Sequence, residues 1–297
     1  MAAMAVHTHD SVDWAARLPA MRRSATLDAP ALAGVAARLT ARLPPGATIV
    51  DAGCGVGPMS GPLVAELARR GGGTLVLIDA VPELLAAAVA AAEETAEAID
   101  GAAVEIRSVH ADVAGTRLAD VAPPADLIWA SAMVHHLPNQ QAGVTALAAG
   151  LREGGVLALG EGGLETRCLP WELGVGEPGL ERRLLAARGE WFTAMRTGMA
   201  GAVPMPYGWG VALRHAGLTD VAAFSYLVDH PAPAGAAVRE YVVEHLAWLA
   251  GMDPALVSED DRAAVARLVD PGSPDYLGTR DDVYLLAAST VHVGSRP

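Results

Sequence analysis

Between about Ala47 and Gly163 the chain alternates short apolar runs with alanine-rich stretches. Thr48–Val50, Thr74–Ile78, Val104–Val109, Ala125–Ala130 and Gly155–Leu159 are rich in β-branched and aliphatic residues, as strands are. Pro62–Arg70, Pro82–Ala98 and Gln140–Leu151 have helical patterning. Pro82 suits a first helical turn, where its missing N–H costs nothing. Strand and helix in alternation predict right-handed crossovers and a parallel α/β sheet covered on both faces.

The rhythm changes after Gly163. Glu177–Arg188 and Glu190–Met199 predict two helices with no strand between them. Gly210–Ala216 ends a helix at Gly217, Val221–Val228 predicts a sixth strand, Ala236–Leu249 and Glu259–Leu268 predict helices, and Val283–Val293 a last strand. This pattern reads as one domain with insertions. Its parts are an N-terminal helical segment (1–45), a core (46–163), a helical insert (164–207), a core helix and strand (208–230), a second insert (231–280) and a final strand (281–297).

The densest chemistry follows the first strand, in Ile49-Val50-Asp51-Ala52-Gly53-Cys54-Gly55-Val56-Gly57. Three glycines at alternate positions permit positive φ and leave room for a ligand against the backbone, and the helix that follows offers unpaired N–H groups. A dinucleotide fingerprint fails here: counted from Gly53 the last glycine position is Pro58, and counted from Gly55 it is Ser60. Asp51 stands where a carboxylate could organise a site for an ammonium group. Asp79 ends the second strand, where a carboxylate can accept from both ribose hydroxyls, and Asp112 follows the third, within reach of an adenine amino group. Ala130 and Ser131 end the fourth strand at the same edge.

Composition narrows the class. The 297 residues carry 21 Lys+Arg against 34 Asp+Glu, a net charge of -13 that disfavours nucleic acid as a partner. No apolar run reaches the roughly 18–20 residues of a membrane span. The two cysteines, Cys54 and Cys168, support neither a disulfide framework nor a four-thiolate zinc site, so a cytoplasmic chain is expected. No metal is expected.

The segments IVDAGCGVG, LVLIDAVPELL, HADV, ADLIWASAMVHHLPN and LREGGVLALGEGG, spanning about residues 46–163, resemble those of class I S-adenosylmethionine-dependent methyltransferases in order and spacing. GVALRHAGLTDVAAFSYLVDHPAP and DDVYLLAASTVHVGSRP resemble that fold's last helix and antiparallel strand pair, and the whole is similar to bacterial secondary-metabolite enzymes. The resemblance implies a Rossmann-like, seven-stranded, mostly parallel sheet with one antiparallel strand. It also implies helices on both faces, helical inserts forming an acceptor cap, and residues 1–45 as a lid. S-adenosylmethionine would be the cofactor and S-adenosylhomocysteine the product. Gly53, Cys54, Gly55 and Gly57 would surround its methionine part, with Asp51 nearby. Asp79 and Ala80 would hold the ribose, and Asp112 with Val113 would frame the adenine. Ala130, Ser131 and His136 would line the pocket.

Methyl transfer from a sulfonium is an in-line displacement whose leaving group is already activated, so the enzyme mainly positions the acceptor. A general base matters where the acceptor must lose a proton. His135, after the fourth strand, and His230, ending the sixth, are the candidates, with Glu161 a weaker one. Trp14, Trp191, Tyr207 and Trp209 lie outside or beside the resembling core and suit a small, apolar or aromatic natural-product acceptor. A homodimer fits as well. A nicotinamide-dependent oxidoreductase, or a partner protein that binds cofactor without catalysis, are the alternative readings.

Overall fold

The computed structural model describes residues 13–101 and 103–297, so residues 1–12 of the expected lid lie outside it. The core strands are β1 (Thr48–Ala52), β2 (Gly73–Asp79), β3 (Val104–His110), β4 (Ala125–Ser131) and β5 (Leu151–Arg167). Except for the edge strand β3, whose Glu105, Arg107 and Ser108 are exposed, they are apolar on both faces because alternate residues meet different helices. Val50, Val76, Ile78, Ile128 and Leu157 pack with α4 (Leu118–Val121), α5 (Gln140–Ala149) and α7 (Trp209–His215). Ile49, Leu75, Leu77, Leu127 and Ala158 pack with α1 (Trp14–Thr40), α2 (Ser60–Arg69) and α3 (Pro82–Glu97). Two-sided burial is the reason these strands lack the polar alternation of a half-exposed sheet.

β6 (Thr219–His230) and β7 (Leu285–Ser295) complete a seven-stranded sheet of order β3-β2-β1-β4-β5-β7-β6. β1 runs parallel to β2 and β4, β2 to β3, and β4 to β5. β7 is the antiparallel strand. Gly154 N donates to Arg296 O at 2.9 Å and Arg296 N to Gly155 O at 2.8 Å, so β7 ends where β5 begins. Thr219 Oγ1 likewise donates to Ser295 O at the start of β6. Strand order reverses between β1 and β4, and the crevice at such a switch point is where open α/β sheets bind ligands.

The chain divides into two compact units. The first comprises the chain up to Gly162, with 200–226 and 289–297. The second comprises 163–199 and 227–288, and holds α6 (Leu180–Gly198), α8 (Ala236–Gly251) and α9 (Glu259–Val269). Within it the Arg183 guanidinium forks onto Asp261 at 2.8 and 2.9 Å, joining α6 to α9.

Two elements, α6 and β5, depart from the sequence expectation. The segment 177–199 forms one helix rather than two: Gly189 sits inside α6, just past the buried Leu184, Leu185 and Ala187 that anchor it. Its start is delayed to Leu180 because Gly179 turns with a φ of +80°. At the other end of the chain, α1 extends 27 residues from Trp14, through Pro19 and Pro30, with Asp13 capping Ala16 N at 3.0 Å. β5 continues well past Leu159, to Arg167.

Candidate active site

β1 delivers the chain into a turn in which Gly53, Gly55 and Gly57 all have positive φ, of +71°, +55° and +81°. The turn is pinned to β2: Gly53 N and Cys54 N both donate to Ile78 O, at 2.8 and 3.0 Å. The three glycines meet different surroundings. A Cβ at Gly57 would lie 2.7 Å from Ala88 Cα and one at Gly53 2.6 Å from Met133 Cγ, whereas at Gly55 nothing lies within 4 Å. Gly55 is therefore the place where the backbone stands open to a ligand.

Asp79 closes the turn from the side. Its Oδ2 accepts from Gly55 N at 2.8 Å and its Oδ1 from Val81 N at 2.9 Å. Burial raises its pKa, against the pull of these amides and of His110. Each carboxylate oxygen can accept more than one hydrogen bond, so Asp79 can still receive ribose hydroxyls. Asp51 is buried beneath the turn, and Ser60 Oγ donates to it at 3.4 Å. Burial, with Asp79 nearby, pushes its carboxyl up to about 7. Cys54 is buried as well, and its thiol is pushed up by that burial and by both aspartates, so it is a packing residue and no nucleophile.

At the end of β3, His110 Nε2 donates to Ala80 O at 3.0 Å, tying the strand to the turn after Asp79. Asp112 accepts from Ala114 N at 2.8 Å within its own turn, and Val113 is buried beside it. Ala130 is buried at the end of β4, and Ser131 Oγ donates to Gly160 O at 3.3 Å.

The turn after β4 is a single 3₁₀ turn, Val134–His136, organised by Glu161 of β5. The Glu161 carboxylate is buried. Its Oε1 accepts from Met133 N at 3.1 Å, Val134 N at 2.8 Å and, more weakly, His135 N at 3.4 Å. Its Oε2 meets His135 Nδ1 at 2.7 Å. His292 of β7 donates through Nε2 to Glu161 O at 3.2 Å. The His135 side chain keeps 24% of its surface exposed. His136 stacks obliquely on it, with ring centroids 4.1 Å apart. Met133, one turn earlier, is the residue that crowds Gly53. The turn that carries His135 and His136 therefore begins, at Met133, against the glycine turn.

The acceptor candidates separate. Trp14 packs with Leu18 and Met21 of α1 against Val56 of the glycine turn and Leu84 of α3. Tyr207 donates its hydroxyl to Gln141 Oε1 at 3.1 Å and meets the His215 ring edge-on, and Trp209 packs on the same core as Tyr207. Trp191 shares a seam with Leu249, Met252 and Leu256 of the second unit, and His230 also belongs to that unit. Sequence reasoning undervalued Glu161, because a lone acid after a strand carries no signal of the amides it will face. It missed Ser60, His110 and His292 altogether, since their partners are distant along the chain. Among the described residues no three His, Cys, Asp or Glu side chains gather as a metal site, and no helix is long and apolar enough to cross a membrane.

The observed geometry fits an adenosyl cofactor: an open glycine at Gly55 and an acid at the end of β2, both beside the switch point between β1 and β4. Residues 50–157 match the family model for a methyltransferase domain. Among solved structures, the chain is similar to a phosphoethanolamine N-methyltransferase 2 of Haemonchus contortus, solved with phosphomonomethylethanolamine and S-adenosylhomocysteine. Identity is 12% over 96% of this chain and 60% of that one, with a TM-score of 0.50. An O-methyltransferase family protein of Burkholderia thailandensis is 16% identical over 97% and 60%, with a TM-score of 0.48. A methyltransferase of Thiobacillus denitrificans bound to S-adenosylhomocysteine is 17% identical over 88% and 90%, with a TM-score of 0.43. At 12% identity the first of these likenesses is one of fold alone. No curated protein matches the sequence. Residues 50–157, with their glycine turn, thus carry a methyltransferase domain, set in a seven-stranded sheet of order β3-β2-β1-β4-β5-β7-β6.

Proposed function

We propose that this methyltransferase acts on a small, largely apolar acceptor of natural-product type, by in-line displacement that calls on no metal. The cofactor would rest against Gly55, with its ribose on Asp79 and its adenine between Ala80 and Val113. When bound, it supplies an electrophilic methyl group on a sulfonium. The chain's own contribution is to hold an acceptor atom in line with that methyl, keep water away and take a proton where the acceptor carries one. Orientation of this kind can supply about 7–11 kcal/mol of the barrier.

The observation that carries this reading is the partly exposed His135 imidazole, held by Glu161 on the turn whose Met133 meets Gly53. It is the proton acceptor we favour over His230. An acidic chain of net charge -13 argues for a small molecule over a polyanion. The expected setting is the cytoplasm, with a homodimer compatible. Incubating the protein with S-[methyl-³H]adenosylmethionine and fractionated small-molecule extracts should give a labelled, extractable product. Label carried only on protein or nucleic acid would overturn the acceptor class.

A further inference from the structure

Glu161 and His135 form a pair whose geometry decides more than the fold requires. The carboxylate is buried and faces four donors: three backbone amides and the imidazole Nδ1 at 2.7 Å. The amides cap the 3₁₀ turn, which is a structural task. The Nδ1 contact adds a chemical one. A carboxylate engaged with that many N–H groups acts as an acceptor, so Nδ1 must carry the proton. In a neutral imidazole with hydrogen on Nδ1, the basic lone pair sits on Nε2, the atom across the ring from Glu161. His292, donating to the carbonyl of Glu161 at 3.2 Å, fixes the backbone from which the carboxylate projects.

We infer that Glu161 is a positioning residue that locks His135 in the Nδ1–H tautomer, making Nε2 the base, and that the acceptor is a hydroxyl. The inference rests on the methyl-transfer reading and deepens it. An amine in its free-base form already presents a lone pair and sheds its extra proton after transfer. A hydroxyl is a poor nucleophile whose methylated oxonium would be strongly acidic, so it gains most from a base held in place. The balance is simple. The acceptor O–H breaks and its proton passes to Nε2. The oxygen forms a bond to the methyl carbon as the carbon–sulfur bond breaks, and the sulfur keeps that electron pair. The imidazolium, stabilised by Glu161, then returns its proton to solvent.

The test uses the full chain saturated with S-adenosylhomocysteine. Histidine ¹⁵N NMR should show Nδ1 protonated and Nε2 bare at His135, reverting toward the Nε2–H form in Glu161→Gln. Titration with 4-nitrophenol below its own pKa should generate bound yellow phenolate. That signal should fall at least about 10-fold in Glu161→Gln, whose role is to orient the base, and vanish in His135→Asn. Calorimetry on each variant sets the S-adenosylhomocysteine concentration at saturation, so that a fall in phenolate reports the acceptor's proton and not lost cofactor binding. His135→Asn leaves the Glu161–amide contacts intact, so it serves if Glu161→Gln misfolds. An Nε2–H tautomer in the wild type, or no phenolate at saturating probe, overturns the proposal while leaving methyl transfer standing. Failure to bind S-adenosylhomocysteine would instead strike the methyl-transfer reading itself.

Discussion

Gly55 and Gly57 share a left-handed backbone but answer to different neighbours. At Gly57 an added methyl would meet Ala88 Cα at 2.7 Å, so Gly57→Ala should cost fold stability through α3. At Gly55 the space is open, and the cost is the φ of +55° alone, about 1–2 kcal/mol. Gly55→Ala should therefore fold, with a melting temperature near that of the wild type, yet lose affinity for S-adenosylhomocysteine at least about 10-fold by calorimetry, because its methyl would stand where the cofactor is proposed to rest. Asp51 supplies a pH signature. Burial chiefly raises its carboxyl from 3.8 to about 7, with Asp79 adding and Ser60 opposing. The folded chain then holds this proton longer than the unfolded one. The stability it confers is complete below pH 3.8 and is lost as pH rises through about 7. Asp51→Asn, neutral throughout, should make the cofactor-free protein more stable than wild type at pH 8 by roughly 3–4 kcal/mol. That gap should close toward pH 4, as read from urea titrations across the range.

Helix α6 runs through Gly189, whose Cβ position is clear of other atoms. Gly189→Ala should stabilise the protein by about 0.5–1 kcal/mol, visible as a higher urea midpoint at unchanged slope. The same residue shows how far the sequence can be read. A mid-helix glycine looks like a break when only local propensity is weighed, yet α6 runs on past it from the buried Leu184, Leu185 and Ala187 that anchor the helix. The core strands were legible for the opposite reason: residues such as Val76, Leu77 and Ile78 are buried on both faces, and an unbroken apolar run is the mark of that environment. The glycine turn and Asp79 were legible because short-range geometry dictates their residue types. The Glu161–His135 pair was not, since β4 and β5 meet only through the register that sets Ser131 beside Gly160. Nor was the length of α1, whose Trp14, Leu18 and Met21 are placed by contact with Val56 and Leu84. Because that contact touches the glycine turn, the amides of 14–25 should gain hydrogen-exchange protection when S-adenosylhomocysteine binds.

At the scale of the molecule, the two units each contain one cysteine: Cys54 in the first, Cys168 in the second. Both are buried, and burial pushes both thiols upward, so neither should react with iodoacetamide in the folded state. Labelling then reports opening, unit by unit. The boundaries at Gly162, Tyr226 and Ala288 fall inside β5, β6 and β7, so three strands carry the chain from one unit into the other. Ligand that binds only the closed first unit lowers its open population by 1 + [L]/Kd. At a hundredfold excess over Kd, Cys54 should label about 100-fold more slowly, the mass-action equivalent of about 2.7 kcal/mol. Cys168 should slow less, because openings confined to the second unit cost the ligand nothing. Mass spectrometry of the alkylated peptides resolves the two rates. Equal slowing would mean that opening is global and that the shared strands weld the units into one cooperative body. Slowing of Cys168 alone would contradict the placement of the ligand against the glycine turn.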